Sequence, residues 1–238
     1  MIGFTNVSKH FYTPDGVNIV LHNATLTFDQ QAQIGVLARP GAGKSMIALM
    51  LAGIERPSSG TITSPTGRFW RLGDSSVFVP SLSGEANVRN VADLFGVDSD
   101  EVSGFVADVV ELGGRYFDPL NTYSGSMRGR LGFALSIALP IDFYIADQGV
   151  QTGTGRYRDK CETLLNEKLD RAGLFVITSN TAFAKRTCAE FAVLQDGAFA
   201  RCEDFEQASE LFKEREDDFD QINDLIAGFD TSLLRGGM

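Results

Sequence analysis

Residues 38–45 read Ala38-Arg39-Pro40-Gly41-Ala42-Gly43-Lys44-Ser45. They lie between a short apolar run, Gln33 to Leu37, and a helix-prone run, Met46 to Leu51. A strand, a glycine-containing turn and a helix start in that order can cradle phosphate. Gly41 and Gly43 allow backbone N–H groups to turn inward around phosphate oxygens. Lys44 would reach the β- and γ-phosphates of a nucleotide, and the Ser45 hydroxyl would hold Mg2+. The first helical turn adds a favourable dipole. Arg39, Pro40, Ala42 and Met46 complete the loop and its exit into the helix. One position departs from the GxxxxGK[ST] pattern, because Ala38 stands where the first glycine belongs. Alanine is tolerated there if φ is negative and is strained if φ is positive.

The elements that must hold this loop follow from the patterning. Residues 2–37 read as strands, with Val17 to Phe28 rich in Val, Ile, Leu and Thr after a Pro14-Asp15-Gly16 turn signal. Pro57-Ser58-Ser59-Gly60 is a loop leading to a strand at Thr61 to Thr63. Residues 84–115 show apolar positions at helical spacing, which predicts an inserted helical subdomain. From 141 onward, strands and helices alternate. The expected elements are a strand at Ile141–Ala146, a helix at Arg156–Leu169, a strand at Leu174–Thr178, a helix at Thr181–Glu190 and a strand at Phe191–Leu194. A turn follows at Asp196-Gly197. Such alternation implies an α/β fold around a largely parallel sheet. Residues 203–221 are strongly acidic and predict a solvated helix.

Composition narrows the function. The chain has 238 residues, 43% hydrophobic and 22% charged, a globular balance that can bury a large core. Its 21 basic and 31 acidic residues give a net charge of −10, which argues against nonspecific nucleic-acid binding as the main task. Cys161, Cys188 and Cys202 are scattered without a CxxC pair, as expected of reduced thiols in a cytosolic protein. Two histidines, His10 and His22, are too few for a histidine-based metal site. Met1-Ile2-Gly3-Phe4 lacks a basic start and an apolar core, so no signal peptide is expected. The stretch Leu131–Ala146 is broken by Gly132, Ser136, Pro140 and Asp142 and is too short to span a bilayer. A membrane role would therefore run through a partner.

Tyr123-Ser124-Gly125-Ser126-Met127 precedes a helical segment, Arg128 to Ala138, and then the apolar strand ending at Asp147, 23 positions beyond Ser124. This order resembles the signature motif, signature helix and Walker B strand of ABC-transporter ATPases. Within that class it is similar to the ATP-binding subunits of capsular and other surface-polysaccharide exporters. Their Tyr-Ser-Ser-Gly-Met signature is matched with its third and fourth residues exchanged. Tyr12-Thr13-Pro14-Asp15-Gly16, Gly53-Ile54-Glu55-Arg56-Pro57 and Leu82 to Arg89 also suit that branch. The similarity covers roughly residues 2–205.

The resemblance implies a P-loop ABC-ATPase fold: a RecA-like core, an antiparallel β subdomain and a helical subdomain at about 82–138. Residues 206–238 would follow as an acidic helical tail. It implies ATP and Mg2+ as ligands, sandwiched head to tail between two subunits in a homodimer or a heterodimer with another ABC ATPase. Ser124, Gly125 and Ser126 would donate to the γ-phosphate bound by the partner subunit. Phe11 would stack on adenine, with Tyr12 the alternative, and Asp147 would orient Mg2+ through water. The expected partner is an integral-membrane permease. It would hold the chain at the cytoplasmic face of the bacterial inner membrane without insertion into lipid.

The same resemblance shows departures at the catalytic positions. Gln148 replaces the glutamate that polarises the attacking water, and an amide cannot take a proton. Asn180 stands where a histidine contacts the γ-phosphate, and cannot bring positive charge to the transition state. Thr154 occupies the D-loop aspartate position and Val79 the Q-loop glutamine position. One reading is an exporter ATPase with impaired hydrolysis. Another is a non-hydrolysing regulatory or scaffold subunit that binds ATP structurally or pairs with an active homologue. A small-molecule kinase or GTPase fits less well, since no Asn-Lys-x-Asp motif is present.

Overall fold

The computed structural model describes residues 1–14, 16–148 and 155–213. β1 (Ile2–Thr13) and β2 (Gly16–Phe28) form a long antiparallel ribbon, and β4 (Ser59–Thr63) adds to the other side of β1. The second sheet contains β3 (Gln33–Leu37), β5 (Phe69–Arg71), β6 (Phe143–Asp147), β7 (Gly173–Thr178), β8 (Glu190–Gln195) and β9 (Ala198–Cys202). Its order is β5-β6-β7-β3-β8-β9, parallel except for β9. Every residue of β7 is buried, as a parallel strand covered on both faces requires. The β8–β9 turn uses Asp196 and Gly197 with φ of 46° and 78°, the left-handed pair that suits a two-residue hairpin.

Around these sheets pack α1 (Lys44–Leu51), α2 (Gly84–Phe95), α3 (Ser99–Val110), α4 (Gly125–Ala138), α5 (Arg156–Leu169) and α6 (Thr181–Thr187), with a further helical segment at 205–213. The 84–115 region, expected to be helical, holds α2 and α3. Gly96 ends α2 with a φ of 66°, and the Asp98 carboxylate accepts from the N–H groups of Asp100 and Glu101 to start α3. One core cluster joins α2, α3 and α4 to the parallel sheet through Val88, Val106, Leu131, Phe133 and Tyr144. A second packs the antiparallel sheet and α1 on the sheet's other face, where Phe28 stacks on Phe143 and Phe175. The P-loop helix is thus wedged between two sheets.

Several boundaries differ from the expected ones. The sixth strand begins at Phe143, not Ile141, and includes Asp147. The helix expected over Thr181–Glu190 stops at Thr187, because Cys188 turns extended and Glu190 already belongs to β8. β5 was not expected. The acidic segment is helical over 205–213, but it is not purely solvated: Ala208 and Phe212 are buried against Leu37, Phe191 and Val193. Asp15, Thr152 to Thr154 and residues 214–238 fall outside the described residues. No helix among the described residues is long and apolar enough to cross a membrane.

Candidate functional site

Three neighbouring parallel strands, β6, β7 and β3, end at the same edge of the sheet. Register aligns Asp147 with Ile177, and Leu37 with Thr178. The loop 38–43, the pair Asp147-Gln148 and the run Thr178 to Asn180 therefore emerge side by side. The carboxyl ends of parallel strands are where α/β sheets commonly bind ligands.

The glycine loop has a defined shape. Ala38 continues the sheet by donating its N–H to Thr178 O at 2.9 Å. It is not among the non-glycine residues with positive φ, so alanine replaces the first motif glycine without backbone strain. Gly41 and Gly43 do take left-handed φ values, 82° and 77°. Gly43 is also a close approach, since a Cβ there would lie 2.4 Å from Val20 Cγ1. Val20, on β2, props the loop from the antiparallel sheet. Sequence alone does not single it out, because it reads as one apolar residue in a strand. An open cleft of about 530 Å3 runs from Val20 and Ala42 to Asp196 and Gly197 of the β8–β9 turn.

Lys44, the first residue of α1, is buried and donates to Arg39 O at 2.5 Å, folding its ammonium back over its own loop. Burial pushes its pKa below the ordinary lysine value, and the neighbouring Asp147 carboxylate draws it partly back up. Ser45 is exposed at the same helix start, and Arg39, Pro40 and Met46 flank the loop. Asp147 keeps one buried carboxylate oxygen, Oδ1, with no hydrogen-bond partner. An orphaned buried acceptor beside a lysine suits the water shell of a divalent cation that bridges phosphates. Ser45 and Asp147 thus fit Mg2+ by donor type. No cluster of three or more His, Cys, Asp or Glu that could hold a metal occurs among the described residues.

The adjoining edge is built differently. Gln148 takes a φ of 70°, unusual for a residue that is neither Gly, Asn nor Asp. Its N–H donates to Ile177 O at 2.8 Å, and its Oε1 accepts from Ser179 Oγ at 3.4 Å. Asn180 is the N-cap of α6, with its Oδ1 accepting from Phe183 N–H at 3.0 Å. The Asn180 side chain is therefore engaged in starting a helix.

The remaining sequence-derived residues lie elsewhere. Ser124 caps α4, accepting from Met127 N–H at 3.2 Å, and Gly125 and Ser126 form its first turn. All three are exposed, so the free N–H groups of that helix start face outward rather than into the loop of their own chain. Phe11 lies on β1, partly exposed, while Tyr12 is 83% exposed and packs edge-on to His10 at 5.5 Å. Val79 is exposed, and its backbone is clamped by Asn87. That amide accepts from Val79 N–H at 2.7 Å and donates to Val79 O, Leu82 O and Ser83 O. Asn87 is 2% exposed, and in the sequence it reads only as one residue of the run from Leu82 to Arg89.

Comparisons agree with this geometry. A family model described as ABC transporter matches residues 21–151, more than half of the chain. The ATP-binding protein BexA of Haemophilus influenzae is 34% identical over 214 residues, covering 90% of this chain and 99% of that protein. The capsule polysaccharide export ATP-binding protein CtrD of Neisseria meningitidis serogroup B is 34% identical over 212 residues, covering 89% and 98%. The polysialic acid transport ATP-binding protein KpsT of Escherichia coli is 35% identical over 191 residues, covering 79% and 85%. In fold, the chain is similar to the ATP-binding cassette MJ0796 in a dimeric post-hydrolysis state bound to ADP and Pi. That likeness has a TM-score of 0.72 at 19% identity, covering 86% of this chain and 99% of that one. Taken with the phosphate loop and the strand edge that carries Asp147, these likenesses show that the chain belongs to the ABC transporter family.

Proposed function

We propose that the chain is the ATP-binding subunit of an exporter for capsular or other cell-surface polysaccharide. In this reading it couples ATP-dependent dimer closure to a membrane permease and hydrolyses ATP only slowly. The observation that carries the binding half is the left-handed Gly41/Gly43 loop with buried Lys44 beside Asp147. The substrate class rests on relatives named for capsule polysaccharide export and polysialic acid transport, which match 89% and 79% of the chain.

Each residue then has a task. The loop N–H groups and Lys44 hold the β- and γ-phosphates, and Lys44 exchanges its bond to Arg39 O for phosphate oxygen. Mg2+, held by Ser45 and Asp147, would neutralise phosphate charge. Phe11 offers a ring for the base. The exposed α4 start at Ser124, Gly125 and Ser126 meets the γ-phosphate of a second subunit, either a copy of this chain or a homologous ATPase. Gln148 orients a water without taking its proton, which costs about 10²–10⁴ in rate relative to a general base. Asn180, occupied as a helix cap, brings no charge.

With a net charge of −10, attachment to an anionic inner membrane runs through the permease rather than lipid. The test is co-purification. The chain should bind MgATP by calorimetry and sediment with membranes only when its polytopic partner is co-expressed. Tight binding to protein-free anionic vesicles would contradict the reading. The engagement of Asn180 also favours a second reading, a non-hydrolysing subunit paired with an active homologue. A stable heterodimer whose turnover comes wholly from the other chain would select it.

A further inference from the structure

The strand that carries Phe11 and the loop that leaves the phosphate-loop helix are joined by a buried lysine. Lys9 lies on β1, two residues before Phe11, and is only 7% exposed. Its ammonium donates to Glu55 Oε1 at 2.7 Å and to Arg56 O at 2.8 Å. The same ammonium lies 4.9 Å from the centroid of the Phe11 ring. Glu55 and Arg56 belong to the loop that leaves α1, and the N–H groups of Ile54 and Glu55 both donate to Leu49 O in the last turn of that helix. The hydrogen bond from Lys9 holds the Glu55 carboxyl below the usual carboxylate range.

A nearly buried ammonium is costly unless paired, so this lysine stays where Glu55 and Arg56 O hold it. Strand alternation places Lys9 and Phe11 on one face of the ribbon, and His10 and Tyr12 on the other. Phenylalanine has no hydroxyl with which to anchor its own ring. A cation held against one face of the ring restrains its plane and leaves the opposite face for an incoming base.

We propose that Lys9, anchored by Glu55 and Arg56 O, is a positioning residue for the base. It fixes Phe11 and ties that platform to the end of the phosphate-loop helix, so that base and phosphates are met at a preset separation. This rests on reading Phe11 as the base platform. Preorganisation lowers the ordering cost of binding a ligand at two points, and it acts only on ligands that have both points. Stacking has no hydrogen-bond readout, so adenine and guanine nucleotides should feel the change alike.

The experiment compares affinities of the full chain for MgATP and for Mg-tripolyphosphate, which has no base. Phe11→Ala should weaken ATP and leave tripolyphosphate as in wild type. Lys9→Met, which keeps the stem and removes the charge, should weaken ATP about three- to tenfold and tripolyphosphate much less. Lys9→Arg should restore most of the loss. Glu55→Gln, at a partly exposed carboxylate, should weaken ATP in the same selective way by a smaller factor, and carries the test if Lys9→Met does not fold. If Phe11→Ala leaves ATP affinity unchanged, the platform reading fails and the proposal with it. If Phe11→Ala acts but Lys9→Met and Glu55→Gln match wild type, or weaken both ligands equally, the platform stands and the positioning role of Lys9 is overturned.

Discussion

The phosphate loop and the adjoining water-facing edge differ in what they ask of their residues. At the loop, the work is done by backbone shape: Gly41 and Gly43 turn left-handed, Val20 props Gly43, and even Ala38 for glycine leaves the path intact. The edge formed by Gln148 and Asn180 instead presents two side-chain functional groups. Both are amides, one accepting from Ser179 and one capping α6. A cradle made of backbone N–H groups tolerates side-chain exchange, whereas proton transfer does not. Gln148 takes a left-handed φ. Holding such a conformation costs about 1–3 kcal/mol, which the surrounding strands must offset.

The comparison can be broken first at the loop. Lys44→Ala removes the buried charge, and ATP affinity should fall by about 10- to 100-fold, the weight of a charged hydrogen bond of about 1.5–3 kcal/mol. Calorimetry giving equal affinities would show that the cradle does not bind phosphate. Gly43→Ala probes the backbone argument. A Cβ 2.4 Å from Val20 Cγ1 at a φ of 77° should cost about 1–3 kcal/mol of stability. Val20→Ala in the same chain should recover the steric part and leave the φ part, a split that chemical denaturation can read.

At the other edge, Asn180→Ala should lower stability by about 1 kcal/mol through the lost N-cap, while Asn180→Asp, which can still cap, should lose little. An unchanged midpoint in Asn180→Ala would remove the capping explanation. The smallest effect is on pH dependence. Burial favours the neutral form of Lys44, while phosphate binding needs the ammonium, so rising pH should weaken ATP binding before the ordinary lysine range is reached. Lys44→Arg stays charged and should bind ATP with a flat alkaline profile. Parallel profiles in the two proteins would place the titration elsewhere.

How much of this is legible in the sequence depends on range. The helix Arg156–Leu169 and the phosphate loop are local patterns, and the structure shows that helix with the expected bounds. β5 has only three residues, too few for a period, and is defined by pairing with β6 more than 70 positions away. The helix over 205–213 buries Ala208 and Phe212 within an acidic stretch, where charge hides a narrow apolar stripe. Asn180 after an apolar strand reads alike as ligand or as helix cap, and only the Phe183 N–H contact tells them apart. Lys9 and Glu55 lie 46 positions apart, and no local pattern pairs them.

The central claim is that nucleotide binding is kept while water activation is lost. Phosphate release should be measured from wild type, Gln148→Glu, Asn180→His and the double variant, each saturated with MgATP. Wild type should turn over very slowly, and Gln148→Glu alone should gain little. Asn180→His gives up the α6 cap but returns an imidazole. The double variant should exceed the product of the single gains, because both groups act on one transition state. Brisk Mg-dependent turnover by the wild-type chain alone, no slower after Gln148→Ala, would contradict the account.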